Sequence, residues 1–396
     1  MTAYDFDAPV ERHGTDSLKF DRQPPSGAAE DVLSMWVADM DFKAPEEVLR
    51  AIEARARHGV FGYTQPSDGY YQSVASWMRS RHGWEIDPRH ILITPGVVFA
   101  LAVAVRAYTE PGDAVLLQPP VYYPFSGVVR DNGRVPAEAP LAYAGADGGY
   151  TIDFEAFERV AAESGAKLFL FCSPHNPVGR VWREDELARI ADICMRHGIT
   201  IVSDEIHADF VRPGFKHVPL ASLSPEIADN TVTLSSASKT FNIAGLQVAH
   251  AVIPDERRRR AFNKALWVSG YSLPNTLGLV ATQAAYDHGA PWIDALNAYL
   301  EENWALLERF VRTRIPELKL VKAQGTYLAW LDCTALGMDD AQLERFILKD
   351  ARLWLDQGHI FGASGSGFVR INIATQHSTV ERALLQLEQA VRMLRA

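Results

Sequence analysis

The octapeptide Ser235-Ser236-Ala237-Ser238-Lys239-Thr240-Phe241-Asn242 follows directly on the apolar run Thr231-Val232-Thr233-Leu234. A short run rich in β-branched residues reads as a buried strand. The small polar residues after it read as the turn that leaves the strand. A lysine in that turn, set among hydroxyl side chains, is placed as an amine ready to form a Schiff base, with hydroxyls available to hold a phosphate. A serine-rich surface loop has the same composition, so the rest of the chain must arbitrate.

Working outward, short apolar runs alternate with helical patterns from about residue 90. Ile91–Thr94, Ala114–Gln118, Leu168–Phe171, Thr200–Ser203 and Val248–Ile253 read as further strands. Val97 to Tyr108 reads as a helix opened by Pro95-Gly96. Arg183 to His197 reads as an amphipathic helix, with Leu187, Ile190, Ala191 and Cys194 on one face and Gly198 as its stop. The strands are nearly continuous in apolar residues, as expected when helices cover both faces of a mostly parallel sheet. The expectation is an α/β fold with a large domain over residues 46–285. A smaller α+β domain is expected over 286–396. It comprises a long helix from about Trp292, strands at Leu328–Leu331 and Phe368–Ile373, and helices at Ala341–Lys349 and Val380–Leu394. Residues 1–45, rich in Gly, Pro and Asp, are expected to be an arm that packs on the small domain or on a partner subunit.

Composition narrows the function. The 396 residues carry 39 Lys plus Arg against 49 Asp plus Glu, a net charge of −10, which argues against general nucleic-acid binding. The run Arg257–Arg260 follows Asp255-Glu256 and reads as a solvated helix start. Cys172, Cys194 and Cys333 form no CxxC pair and fit free thiols in a reducing cytoplasm. Met1–Val10 has no apolar stretch of the signal-peptide kind. No run approaches the ~20 residues needed to span a bilayer. His175, His197 and His217 lack metal-ligand spacing, so no metal is expected. Gly362–Gly367 lacks the G-K-[ST] ending of a nucleotide loop and is expected to be a turn that brings backbone close to Arg370.

Ligands of open α/β sheets sit beyond the carboxyl ends of the strands. Gly96, Tyr122 and Tyr123, Asn176, Asp204 and His207, and Lys239 follow five such ends. This set suits pyridoxal 5′-phosphate (PLP). Asp204 could hold a proton on the cofactor's ring nitrogen, although strand-end Asp is common. The N–H groups opening the helix at Val97 and Val98, with Ser236 and Ser238, could hold its phosphate. Tyr122 could stack on the ring. Arg370, a charge inside the apolar strand Phe368–Asn372, suits a substrate carboxylate; the alternative is an internal salt bridge.

Four segments in this order resemble the fold-type I PLP-dependent aminotransferases: Ser173–Gly179, Ser203–His207, Ser236–Lys239 and Phe368–Asn372. Four more, His13–Asp21, Trp36–Phe42, Asp204–His207 and Lys239–Gln247, resemble the MalY/PatB branch of C–S lyases, the cystathionine β-lyase type. The resemblance covers nearly the whole chain. It implies a seven-stranded, mostly parallel sheet in the large domain and a cytoplasmic homodimer with shared sites. It implies Lys239 as the Schiff-base residue and α-proton shuttle, Asp204 on the ring nitrogen and Asn176 on the ring oxygen. It also implies Tyr122 on the ring with Tyr123 close by, His207 near the ring, and Tyr63 reaching the phosphate of the neighbouring subunit. Arg370 would bind the α-carboxylate, helped by backbone at Val37 and Ala38. Two departures from the wider aminotransferase pattern are His207, where many members have Tyr, and Gln247, where many have Arg. Both agree with the lyase branch. The expected activity is β-elimination on L-cystathionine or related S-substituted cysteines. The alternatives are transamination, or a binding role on the same scaffold.

Overall fold

The structure is a computed structural model and describes residues 4–29 and 31–394. Its centre is a seven-stranded sheet. The strands in chain order are β1 (Ile91–Thr94), β2 (Ala114–Leu117), β3 (Val135–Glu138), β4 (Leu168–Cys172), β5 (Thr200–Asp204), β6 (Thr231–Ser235) and β7 (Ala249–Val252). Their order across the sheet is β1-β7-β6-β5-β4-β2-β3. All pairs are parallel except the two made by β7, which runs antiparallel to both β1 and β6. Six of these strands match the sequence reading to within two residues at each end. The edge strand β3 was not read, because Pro136 and its half-exposed neighbours break any apolar run.

β4, β5 and β6 are buried along their whole length. Helices Val97–Tyr108 and Glu184–Arg196 lie on opposite faces of the sheet, each in its own apolar cluster. In the second helix the four face residues named from periodicity are all buried. The buried Leu187 and Ile190 side chains each contribute roughly 1.5–3 kcal/mol. The Glu186 carboxylate accepts from the Arg183 N–H at 2.9 Å and starts that helix. Gly198, at φ 66°, ends it in the left-handed region where glycine is unstrained.

Beyond residue 288 the chain forms the long helix Ala290–Arg314 and a four-stranded antiparallel sheet. The order of that sheet is Lys319–Leu320, Leu328–Asp332, Phe368–Asn372, Asp356–Gln357. The expected helix over 341–349 is instead an α-helical stretch, Asp340–Arg345, that widens into a π turn, Phe346–Asp350. Helix His377–Met393 closes the chain. The amino-terminal segment packs on this part of the molecule: Leu33–Ser34 pairs in parallel with Leu353–Trp354. No described helix is long and apolar enough to cross a membrane. The three cysteines are free and buried.

Candidate active site

The carboxyl ends of β4, β5 and β6 bring Asn176, Asp204 and Lys239 to one region. Lys239 sits on the single helical turn Ala237–Thr240 that follows β6. Ser236 opens that turn: its hydroxyl accepts from the Ser238 N–H at 3.0 Å and donates to the Val248 carbonyl at 2.6 Å. The Ser236 proton is therefore spent on backbone, which makes Ser236 a cap in this structure. The Ser238 hydroxyl makes no hydrogen bond among the described residues. Lys239 Nζ donates to the Ala38 carbonyl at 2.7 Å. Burial lowers its pKa to about 8; Arg370 pushes the same way, and Asp39 and Asp204 oppose.

Asp204 ends β5 and is buried. Among the described residues its carboxylate accepts one hydrogen bond, from the Ile206 N–H at 3.1 Å. Burial raises its pKa to about 7. A carboxyl so enclosed, with so little to stabilise its charge, is matched to a cationic partner that arrives from outside the chain. His207 is buried too, with Nδ1 unpartnered. Burial, then the charges of Lys239 and Arg370, lower its pKa to about 3, so it is neutral.

Val97 and Val98 are the first residues of helix Val97–Tyr108, which has no side-chain cap. Their N–H groups have no acceptor within the helix. Tyr122 and Tyr123 lie next to one another with ring centroids 5.1 Å apart. Tyr122 is tied to Asn176 through its own N–H, which donates to the Asn176 carbonyl at 3.0 Å.

Arg370 reaches this cluster from the four-stranded sheet. It is 2% exposed. Its guanidinium donates to Asn176 Oδ1 at 3.0 Å and to the Trp36 carbonyl at 2.8 Å, and it pairs with Asp356. The internal salt bridge named as the alternative for Arg370 is present, and the same guanidinium lies against Asn176. The segment Trp36–Asp39 is held by carbonyls: Asn372 donates to Val37 O at 2.6 Å and Asp39 O at 2.5 Å, and Tyr327 donates to Ala38 O at 2.8 Å. The Val37 and Ala38 N–H groups donate to nothing among the described residues.

Gly362–Gly367 forms a tight turn. Its backbone approaches Gly358 and Pro119: a Cβ on Gly365 would lie 2.1 Å from the Gly358 carbonyl oxygen. What the loop region brings to Arg370 is the Phe361 ring, 5.0 Å away. Tyr63 stands apart from the cluster. It is 97% exposed, in a surface concavity of about 650 Å³ lined by Phe61–Thr64 and Gly270–Leu277. Sequence reasoning missed Asp356, Tyr327 and the clamp made by Asn372. Asn372 was within reach, two residues after Arg370 on the same face of one strand; the other two carry no local signal.

The sequence profile of the aminotransferase class I and II family matches residues 30–387. The chain belongs to that family. It is 44% identical over 386 residues to cystathionine beta-lyase PatB of Bacillus subtilis, covering 98% of this chain and 99% of that protein. It is 34% identical over 394 residues to protein MalY of Escherichia coli, covering 99% of this chain and 100% of that protein. Its structure matches cystalysin of Treponema denticola, solved with a pyridoxal 5′-phosphate cofactor, at a TM-score of 0.95 and 38% identity; 99% of each chain is covered. In this family setting the mostly parallel seven-stranded sheet is the fold-type I scaffold. Asn176, Asp204 and Lys239 stand at its strand ends, and Arg370 joins them from the four-stranded sheet.

Proposed function

We propose that this chain is a PLP-dependent carbon–sulfur β-lyase acting on L-cystathionine or related S-substituted cysteines. The observation that carries the reading is the pair Lys239 and Asp204 at neighbouring strand ends. One is an amine lowered to about 8 and the other a carboxyl raised to about 7. Opposed shifts at one site are the mark of acid–base work. The match to PatB, a cystathionine beta-lyase, supplies the choice of C–S cleavage over transamination.

The residues fit the cofactor. Asp204 is a buried carboxyl with no salt bridge among the described residues, which suits the protonated ring nitrogen. The Val97 and Val98 N–H groups and the Ser238 hydroxyl suit its phosphate. Tyr122 offers a flat partner for the ring, with Asn176 and His207 beside it. Bound there, PLP supplies an electron sink for the charge left at Cα when its proton departs.

Lys239, neutral in a useful fraction near pH 7, removes the α-proton as general base. Arg370 and the free N–H groups of Val37 and Ala38 hold the α-carboxylate and so orient the Cα–H bond towards that amine. The Cβ–S bond then breaks, its electron pair leaving on sulfur as a thiolate that takes a proton. The remaining three-carbon enamine hydrolyses to pyruvate and ammonia. Tyr123, half-exposed beside Tyr122, is assigned in this reading to the side of the departing sulfur group. In this reading residues 46–285 hold the cofactor, and Arg370 reaches the substrate from the region 286–396. The exposed Tyr63 serves the partner's site in a cytoplasmic homodimer.

The test is purified holoenzyme with L-cystathionine and no keto-acid acceptor. Steady release of pyruvate and thiol is the expected result. Turnover only after an acceptor is added replaces the reading with transamination.

A further inference from the structure

We infer that Asp356 is a specificity-determining residue: a competing anion that holds down the affinity of Arg370 for a substrate's α-carboxylate. The inference rests on the assignment of Arg370 to that carboxylate. Asp356 lies on the edge strand Asp356–Gln357, directly opposite Arg370 in an antiparallel pair. Opposed residues present their side chains to the same face. The pair is buried, with the side chains 8% and 2% exposed. Asp356 makes no hydrogen bond to any other group among the described residues. Burial raises its pKa, with Arg370 opposing, so its charge is maintained chiefly by the guanidinium.

Arg370 does not need Asp356 to stay in place. Asn176 Oδ1, the Trp36 carbonyl and the Phe361 ring each fix it independently. A guanidinium has five N–H donors. Asp356, Trp36 and Asn176 take three. The Nε–H is buried and unpartnered, and one hydrogen remains on the nitrogen facing Asn176. An incoming carboxylate therefore meets a fork whose charge is already balanced, and two anions then share one cation in a dry site. Like charges so placed repel strongly. The penalty falls on the carboxylate alone, so a ligand of the same shape without one is not affected.

The probes are 3-(methylthio)propionate, an acid too simple to react with the cofactor, and its uncharged amide. Calorimetry on holoenzyme reads the Kd of each for the wild type, Asp356→Asn and Arg370→Gln. Asp356→Asn tightens the acid about tenfold, from removal of one like charge at partly screened distance, and leaves the amide unchanged. An acid Kd that stays the same or rises, or acid and amide moving together, overturns the inference. If Asp356→Asn does not accumulate as folded holoenzyme, Asp356→Ser is read against the same two outcomes. Arg370→Gln separates the two levels. An acid weakened by Arg370→Gln yet indifferent to Asp356→Asn sinks the Asp356 inference alone. An acid indifferent to Arg370→Gln removes the carboxylate assignment beneath it.

Discussion

Asp204→Asn carries a prediction whose sign depends on whether the cofactor is present. In the cofactor-free protein the Asp204 carboxyl is pushed from an ordinary 3.8 up to about 7. Its neutral form is the one the fold prefers. The associated stability is fully present below pH 4 and is lost as pH rises through about 7. At roughly 1.4 kcal/mol per pKa unit, the loss approaches about 4 kcal/mol at pH 8 and is less than half of that at pH 5. Asparagine keeps an oxygen for the Ile206 N–H but cannot ionise, so it escapes the penalty. Urea unfolding of cofactor-stripped protein should show Asp204→Asn more stable than wild type at pH 8, by up to about 4 kcal/mol. The advantage should shrink by more than half at pH 5. With cofactor bound the order reverses, because the ring nitrogen loses its counter-charge and cofactor affinity falls. A cofactor-free Asp204→Asn protein that is no more stable than wild type, or whose advantage does not change with pH, refutes the reasoning.

Lys239→Ala removes the proposed general base, and kcat for pyruvate release should fall by about 10²–10⁴-fold or more. The absorbance of the cofactor's lysine Schiff base should vanish, and a variant that keeps both signals contradicts the assignment. Tyr63→Ala should shed cofactor, although Tyr63 touches none of the site residues of its own chain. Mixing Tyr63→Ala with Lys239→Ala protein should restore about a quarter of wild-type activity, since half the dimers are mixed and each has one intact site. No recovery after verified subunit exchange would place Tyr63 outside the partner's site.

Much of the fold was legible because its strands are buried on both faces. Leu168–Cys172 and Thr200–Asp204 announce themselves as apolar runs, and the helix between them shows its period. Leu187, Ile190, Ala191 and Cys194 named its inner face correctly. β3 was not legible, since an edge strand needs no apolar run, and the reversed direction of β7 leaves no mark in Val248–Ile253. At the site, Lys239, Asp204 and Asn176 stood out because each follows a strand. Arg370 stood out as a charge in an apolar strand. Its partner Asp356 did not, because the pairing is made across two strands that sequence alone does not align. The commitment of Ser236 to the Val248 carbonyl was equally hidden, since it depends on where β7 begins.

The clamp on residues 36–39 sets an order for biosynthesis. Asn372 binds Val37 across 335 residues of chain, and Arg370 binds Trp36 across 334. At about 5–20 residues per second, a ribosome needs tens of seconds or more to connect the two. Until residue 372 has emerged, the segment that accepts the Lys239 amine has no anchor on the closing strand. A nascent chain can thus build the β1–β7 sheet and still present no finished substrate site. The surroundings of the Lys239 amine are completed only when nearly the whole polypeptide has been made, which delays a competent enzyme until synthesis is almost over.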